Sequence, residues 1–368
     1  MQVVLQHLVY TASGFGTTAR ELAFAMEDMG VDVKIDVIGP TTGKLNADDL
    51  QRLKRMEAKP LKNDRILLTL DWNYRDRNRS GYQKAISCVM FETSKAPQAF
   101  VHELSGFDAM IVPNEFNRQA FLNGGVRIPV YVAEYGVNSD FYTPQGPRDR
   151  MQLPDNHFVF LSIFGWSKRK GPDALIRAFL QEFDASEPVS LLIKTYQARI
   201  DDFPMAWYEE VASQVKKRNR PNVKIISRDM SPDQMANLYR GTDCFVLSTR
   251  GEGVGLPILE SMSTAKPVIA TGWSAHTDFL GPSSGYPVSY SLVPAEPLWF
   301  TNLYQPDQLW ADPDVGSLQT AMRKVYTHRA EAEARGQQAR LVAQHWTWKR
   351  TAEQFVNAIE EIVGGPIR

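Results

Sequence analysis

Short runs of apolar and β-branched residues alternate with segments of helical periodicity along nearly the whole chain. Runs that are apolar throughout, not at every second position, are what parallel strands need when helices cover both faces of their sheet. In the first half they fall at 3–9, 31–38, 65–70, 85–91, 109–112 and 130–133, and in the second at 158–164, 189–195, 223–227, 244–248 and 267–270. Between the first two, Ala19, Leu22, Ala23 and Met26 recur at helical spacing, so 17–29 reads as an amphipathic helix ended by Gly30. The same logic predicts helices at 173–183, 205–218, 232–240 and 257–264. Such alternation in both halves predicts an α/β protein of two Rossmann-like domains, each built on a parallel sheet.

A length of 368 residues also exceeds what one hydrophobic core usually supports. The stretch 143–154 is rich in Pro, Gly and charge and poor in apolar residues, which divides the chain into 1–147 and 148–345. A third segment, 346–368, carries an amphipathic pattern at 348–362 with no strand after it, so it must pack on something already built, and it is expected to cross back to the first domain as similar proteins do. The stretch 283–314, dense in Pro and aromatic residues, is expected to be irregular.

Composition narrows the function. Charged residues make up 23% and hydrophobic residues 43%, enough apolar material for two cores. A formal net charge of −1 supplies no global field toward nucleic acid or an anionic membrane. The basic clusters Arg75/Arg77/Arg79, 168–170 and 216–220 are short and separated; the first and third read as solvated faces and helix ends. Cys88 and Cys244 lie in apolar runs without metal-ligand spacing, as reduced thiols of a cytoplasmic protein do. The opening residues lack a signal-peptide pattern and no run reaches membrane-spanning length, which leaves only peripheral membrane contact open.

The most informative stretch is RGEGVGLPILE at 250–260. Three glycines follow a strand and lead into a helix whose first turn holds Pro257, a position suited to its fixed φ and missing N–H. The backbone N–H groups of Val254, Gly255 and Leu256 are then left free beside the positive end of the helix dipole, and a diphosphate is the natural occupant. Glu260, expected in the first turn of that helix, suits the vicinal diol of a ribose, and Glu252 flanks the same site from the loop. The plainer alternative is an ordinary strand–loop–helix connection with a capping glutamate. Asp312-Pro-Asp314 is the one tempting acidic pair of the metal-holding type; it follows no predicted strand and reads as a turn, so no metal and no cofactor are expected.

The two glutamates separated by seven residues, together with TDCFVLS before them and KPVIAT after, resemble the signature of the group-1 family of retaining glycosyltransferases with the glycosyltransferase-B fold. The likeness is strongest over 158–280 and continues more weakly over 91–141. It implies two facing Rossmann-like domains, the first on the acceptor side and the second holding a nucleotide-sugar donor, UDP-sugar before GDP-sugar. It implies that Glu260 holds the donor ribose, that Glu252 meets hydroxyls of the transferred sugar, and that the amides of Val254, Gly255 and Leu256 lie beside sugar and phosphate. Lys170, in GWSKRKG at 165–171, matches the lysine that neutralises the diphosphate. Where the family usually carries an arginine, this chain has Trp166, and Arg169 is the candidate substitute. The family's metal independence agrees with the residues.

In the first half, SGFGT at 13–17 links the first strand to the first helix; by itself it is a tight turn, and by the resemblance Gly14 and Gly16 face the diphosphate. Asp71, Glu92, Thr93 and Asn114 stand at or just after strand ends, where open α/β sheets place ligands, and are the acceptor-side candidates. His102 falls in a helical pattern and reads as structural. The acceptor itself is left open among a lipid, a glycan, a protein, a small metabolite and a modified nucleobase. A nucleotide-sugar epimerase on the same scaffold and a non-catalytic nucleotide-sugar-binding protein are the competing readings.

Overall fold

The computed structural model describes residues 1–11, 13–39, 45–70, 81–196, 203–298, 301 and 303–368. They form two units, one of Met1–Gly136 with Trp346–Arg368 and one of Val137–His345. The first runs β1 (Gln2–His7), α1 (Gly14–Asp28), β2 (Asp32–Val37), α2 (Ala47–Glu57), β3 (Arg65–Thr69), β4 (Ala85–Ser87), α3 (Gln98–Leu104), β5 (Ala109–Val112), α4 (Glu115–Gly124) and β6 (Val130–Val132). The second runs β7 (Phe158–Ile163), α5 (Pro172–Glu182), β8 (Val189–Thr195), α6 (Phe203–Gln214), β9 (Asn222–Ser227), α7 (Pro232–Gly241), β10 (Cys244–Leu247), α8 (Leu256–Ser263), β11 (Val268–Thr271), β12 (Tyr286–Val288), β13 (Tyr290–Pro294), β14 (Leu309–Pro313), α9 (Val315–Thr327) and α10 (Arg329–Ala343). The chain ends in α11 (Trp348–Val363).

Each unit is built on a parallel sheet, ordered β2-β1-β3-β4-β5-β6 in the first and β12-β11-β10-β7-β8-β9 in the second. Val3, Val4 and Leu5 of β1 and Phe160, Leu161 and Ile163 of β7 are buried, as strands covered on both faces must be. On α1 the side chains of Ala19, Leu22, Ala23 and Met26 are all fully buried, and its apolar stripe is the face that covers the sheet.

Alpha11 belongs to the first unit and packs on α1. Its stripe of Trp348, Phe355, Val356 and Ile359 is buried, and Tyr135 meets the rings of Trp348 and Phe355 at 6.1 Å each. Two polar contacts set its register: Thr351 Oγ1 donates to the Glu134 carbonyl at 2.7 Å, and the Glu134 N–H donates to Gln354 Oε1 at 2.7 Å.

Three expectations change. Helix α1 begins at Gly14, not at residue 17, because Ser13 caps it by accepting from the Gly16 N–H at 3.2 Å. The stretch 283–314 holds the edge strand β12 and the antiparallel β13–β14 hairpin; the prolines within these strands fall on an edge strand (Pro287) and at strand ends (Pro294, Pro313), where a missing N–H interrupts little of a ladder. The division falls at Gly136 and Val137 instead of 147/148, since the segment beyond is tied into the second unit. There Arg240 Nε donates to the Pro147 carbonyl at 2.8 Å, the Asp149 N–H to the Asn237 carbonyl at 2.9 Å, and Tyr142 packs edge-on against Tyr239.

Candidate functional site

Counted from its first strand, the second sheet has the order 3-2-1-4-5-6 read from β9 to β12, so its topological switch point lies between β7 and β10. Ligands of open α/β sheets sit outside the carboxyl ends of the strands at such a point. The two loops that leave it are 164–171 after β7 and 248–255 after β10, and they are bonded to each other. The Arg250 N–H donates to the Arg169 carbonyl at 2.6 Å, Ser248 Oγ to the Gly171 carbonyl at 2.7 Å, and an Arg169 guanidinium N–H to the Gly251 carbonyl at 2.6 Å. Gly171 makes this approach feasible: its φ is +65°, and a Cβ there would overlap the Ser248 carbonyl oxygen.

Helix α8 opens on Gly255, at φ 93°, with Pro257 in its first turn. Among the described residues the backbone N–H groups of Val254, Gly255 and Leu256 donate to no protein acceptor. Glu260 lies in the second turn, not the first, since the helix starts at Leu256 and has no acidic residue in its first turn.

Glu252 and Lys170 meet here. Lys170 Nζ lies 2.7 and 2.8 Å from the two carboxylate oxygens, with an Arg169 nitrogen 3.8 Å from one of them. Glu252 is buried, which raises its carboxyl pKa, yet the lysine and the arginine outweigh that and hold it below the usual carboxylate range. Its N–H donates to Ser274 Oγ at 2.9 Å. Glu260 has another partner: Tyr239, fully buried on α7, donates its hydroxyl to Glu260 Oε2 at 2.6 Å.

Sequence reasoning passed over three residues that shape the site. Arg250, buried, takes Asp173 of α5 at 2.9 and 2.8 Å, Asp312 of β14 at 2.9 Å and the Lys168 carbonyl at 2.6 Å, so it ties the hairpin and α5 to both loops. His276 is fully buried, with Nε2 2.7 Å from the Thr271 carbonyl and Nδ1 unpartnered; burial lowers its pKa, and its Cβ would lie 3.2 Å from a Cβ on Gly255, a crowded contact. Tyr239 is the third. Each sits in an apolar or loop context whose pattern carries no sign of its partner. Asp312 lies in a strand, not in the turn expected of it, and Asp314 caps α9 by accepting from the Ser317 N–H at 2.6 Å. Among the described residues no group of three or more His, Cys, Asp or Glu is arranged to hold a metal ion.

The described first-unit candidates lie on several elements. Gly14 and Gly16 lie in the first turn of α1; Gly14 is exposed, and a Cβ on Gly16 would overlap the Thr11 carbonyl oxygen. Asn114 caps α4 by accepting from the Asn117 N–H at 2.9 Å, and Thr93 Oγ1 donates to the Lys95 carbonyl at 2.8 Å. Glu92 is half-buried beside Thr93. Asp71 lies outside the described residues, as do Arg75, Arg77 and Arg79. His102 is on α3 but largely exposed. Cys88 and Cys244 are buried free thiols, their pKa values pushed up by burial. No described helix is long and apolar enough to cross a membrane.

Residues 155–294 match the family described as glycosyl transferases group 1. A curated relative, the alpha-monoglucosyldiacylglycerol synthase of Streptococcus pneumoniae, is 24% identical over 48% of this chain and 39% of its own length. An uncharacterized protein of Sulfolobus islandicus rod-shaped virus 1 is 20% identical over 58% of this chain and 59% of its own. The chain thus spans about two fifths to three fifths of these relatives. Among solved structures, sucrose-phosphate synthase from Thermosynechococcus elongatus superimposes with a TM-score of 0.71 at 17% identity, covering 99% of this chain and 100% of that one. Anabaena HepE in complex with UDP-glucose does so at 0.68 and 12% identity over 98% and 100%.

Proposed function

We propose that this chain, a glycosyltransferase-B fold carrying a group 1 glycosyl transferase domain, is an enzyme that moves a sugar from a nucleotide diphosphate donor to an acceptor hydroxyl, with retention at the anomeric carbon. The observation that carries the reading is the Lys170–Glu252 couple at the β7/β10 switch point, beside three unengaged amides at the start of α8. A diphosphate seated there meets a fixed ammonium, the Arg169 guanidinium and backbone donors together. As the glycosidic bond breaks, charge grows on the departing diphosphate, and donors already in place stabilise that change without reorganising. Lys170 then trades Glu252 for the phosphate, and the freed carboxylate takes hydroxyls of the sugar. Glu260, steadied by Tyr239, holds the ribose diol. The leaving phosphate accepts the acceptor's proton on the same face of the sugar, which gives retention. The first unit is assigned the acceptor side and the second the donor side. A UDP-sugar is the favoured donor; the complex of Anabaena HepE with UDP-glucose supports that choice.

Calorimetry with free UDP, paired with product analysis by mass spectrometry and anomeric NMR, tests the reading. Glu260→Gln should weaken nucleotide binding by about 1–3 kcal/mol, the worth of a charge-assisted hydrogen bond. Glu252→Gln should leave nucleotide affinity nearly intact and sharply lower turnover, because its partner is the sugar. Equal loss of nucleotide affinity in both variants would remove this division of roles, and an inverted product would refute the mechanism. Conversion of the donor without any acceptor into its epimer would transfer the protein to the epimerase class.

A further inference from the structure

Lys194, on β8, the strand next to the edge strand β9, has an accessibility of only 2%. Among the described residues its ammonium has no hydrogen bond and no ion pair; it lies 4.1 Å from the ring centroid of Tyr196, two residues on. Two carboxylates act on it from neighbouring elements, Asp229 just beyond β9 and Glu260 on α8, while burial pulls its pKa down. A buried cation without hydrogen-bond acceptors is costly, and a fold keeps one where something else supplies the acceptor. The Tyr196 ring is 39% exposed and its edge lies 3.7 Å from the position of a Cβ on Gly165, at the head of the loop that carries Lys170.

The place constrains the occupant. Beta8 is next to β7 and one strand spacing of about 4.8 Å further from the switch point, on the side away from β10. A nucleotide whose diphosphate is at the β7/β10 switch point and whose ribose is on Glu260 puts its base at this end of β8 and β9. A second phosphate is a poor fit, since Asp229 and Glu260 would repel it. A neutral hydrogen-bond acceptor on a flat ring is a good fit, with Tyr196 as the surface to stack on.

We propose that Lys194 and Asp229 read the edge of the donor base and select one that carries a carbonyl oxygen beside a ring N–H. The ammonium donates to the carbonyl and the carboxylate accepts the N–H. Uracil and guanine present that pair; cytosine and adenine present an amino group beside an unprotonated ring nitrogen, so each would set donor against donor and acceptor against acceptor. The assignment rests on the donor reading above and adds the part of the donor that Lys170 and the glutamates do not touch.

Binding of free UDP, GDP, CDP and ADP to the full chain by calorimetry tests it. UDP or GDP should bind at least about tenfold more tightly than CDP and ADP, as expected where a buried charged donor is matched or mismatched. Lys194→Met should remove that margin by weakening UDP or GDP about tenfold while CDP and ADP change by less than about twofold. Asp229→Asn, at an exposed position, should narrow the margin in the same direction. Equal affinity for all four nucleotides in the unaltered protein, or a uniform loss across the four in Lys194→Met, overturns the base-reading pair and leaves the donor reading standing. Failure of all four to bind overturns the donor reading, and this assignment with it.

Discussion

Burial alone would raise the carboxyl pKa of Glu252, and Lys170 with Arg169 reverses the sign. A carboxylate lowered in the folded state contributes stability that is present above its unfolded pKa of about 4.3 and is lost as pH falls through the folded value. Take away the lysine, and the nearest cation is the Arg169 nitrogen at 3.8 Å, so desolvation governs and the folded pKa moves upward. The charge then becomes a cost that appears as pH rises. Lys170→Met is therefore expected to destabilise the protein by about 3 kcal/mol at pH 7, as breaking a buried ion pair does. The deficit should shrink toward pH 4. Melting curves of both proteins at the two pH values check this, and a gap that stayed constant would show that Lys170 contributes packing and not charge.

At the scale of elements, the site is a weld between two loops that leave adjacent strands. Its tightest point is Gly171, whose positive φ and contact with the Ser248 carbonyl allow no side chain. Gly171→Ala should cost about 1–2 kcal/mol for the left-handed backbone alone, and more for the overlap. Because the loop is pushed away from β10, Lys170 leaves Glu252, so nucleotide affinity should fall together with the melting temperature. Unchanged affinity for UDP in a destabilised variant would mean that the 164–171 loop can be displaced without disturbing the donor seat. Arg250 works on the same scale, since its carboxylate partners lie on α5 and on β14. The amphipathic periodicity of α1 and α5 and the glycine-proline punctuation of α8 were readable in advance because they are local. The hairpin β13–β14 was not, because edge and hairpin strands rich in proline lose the apolar run that marks a buried strand.

On the scale of the whole molecule, the last helix, Trp348–Val363, completes a unit that begins at Met1. It buries Trp348, Phe355, Val356 and Ile359, each worth about 1.5–3 kcal/mol when removed from water. Their sum is comparable with the total stability of an ordinary domain, about 5–15 kcal/mol. Ending the chain after His345 should accordingly unfold the first unit, visible as loss of amide hydrogen-exchange protection on β1, β3 and α1. The second unit, whose residues end at His345, should keep its protection on β7, β8 and β10. Retained protection on β1 in the shortened chain would show that α11 is only an accessory cover.

What the sequence determined by itself follows from short-range chemistry. Apolar runs of strand length, helical stripes, and a glycine-rich turn between a strand and a proline-started helix specify two parallel α/β units and mark Glu252 and Glu260 as flanking one turn, whereas Lys170 joined them only through the family resemblance. Tertiary structure alone decided which groups meet. Lys170 and Glu252 are 82 positions apart in the chain and share a hydrogen bond; Arg250 reaches back to Asp173 and forward to Asp312; Tyr239 takes Glu260. It also decided that Lys194, one polar residue near the end of an apolar strand, is buried with its ammonium over the ring of Tyr196. The reason is physical. Backbone periodicity is written in neighbours a few residues apart, whereas the energy of a buried charge depends on whatever the sheet order brings beside it, and sheet order joins strands that no local pattern connects.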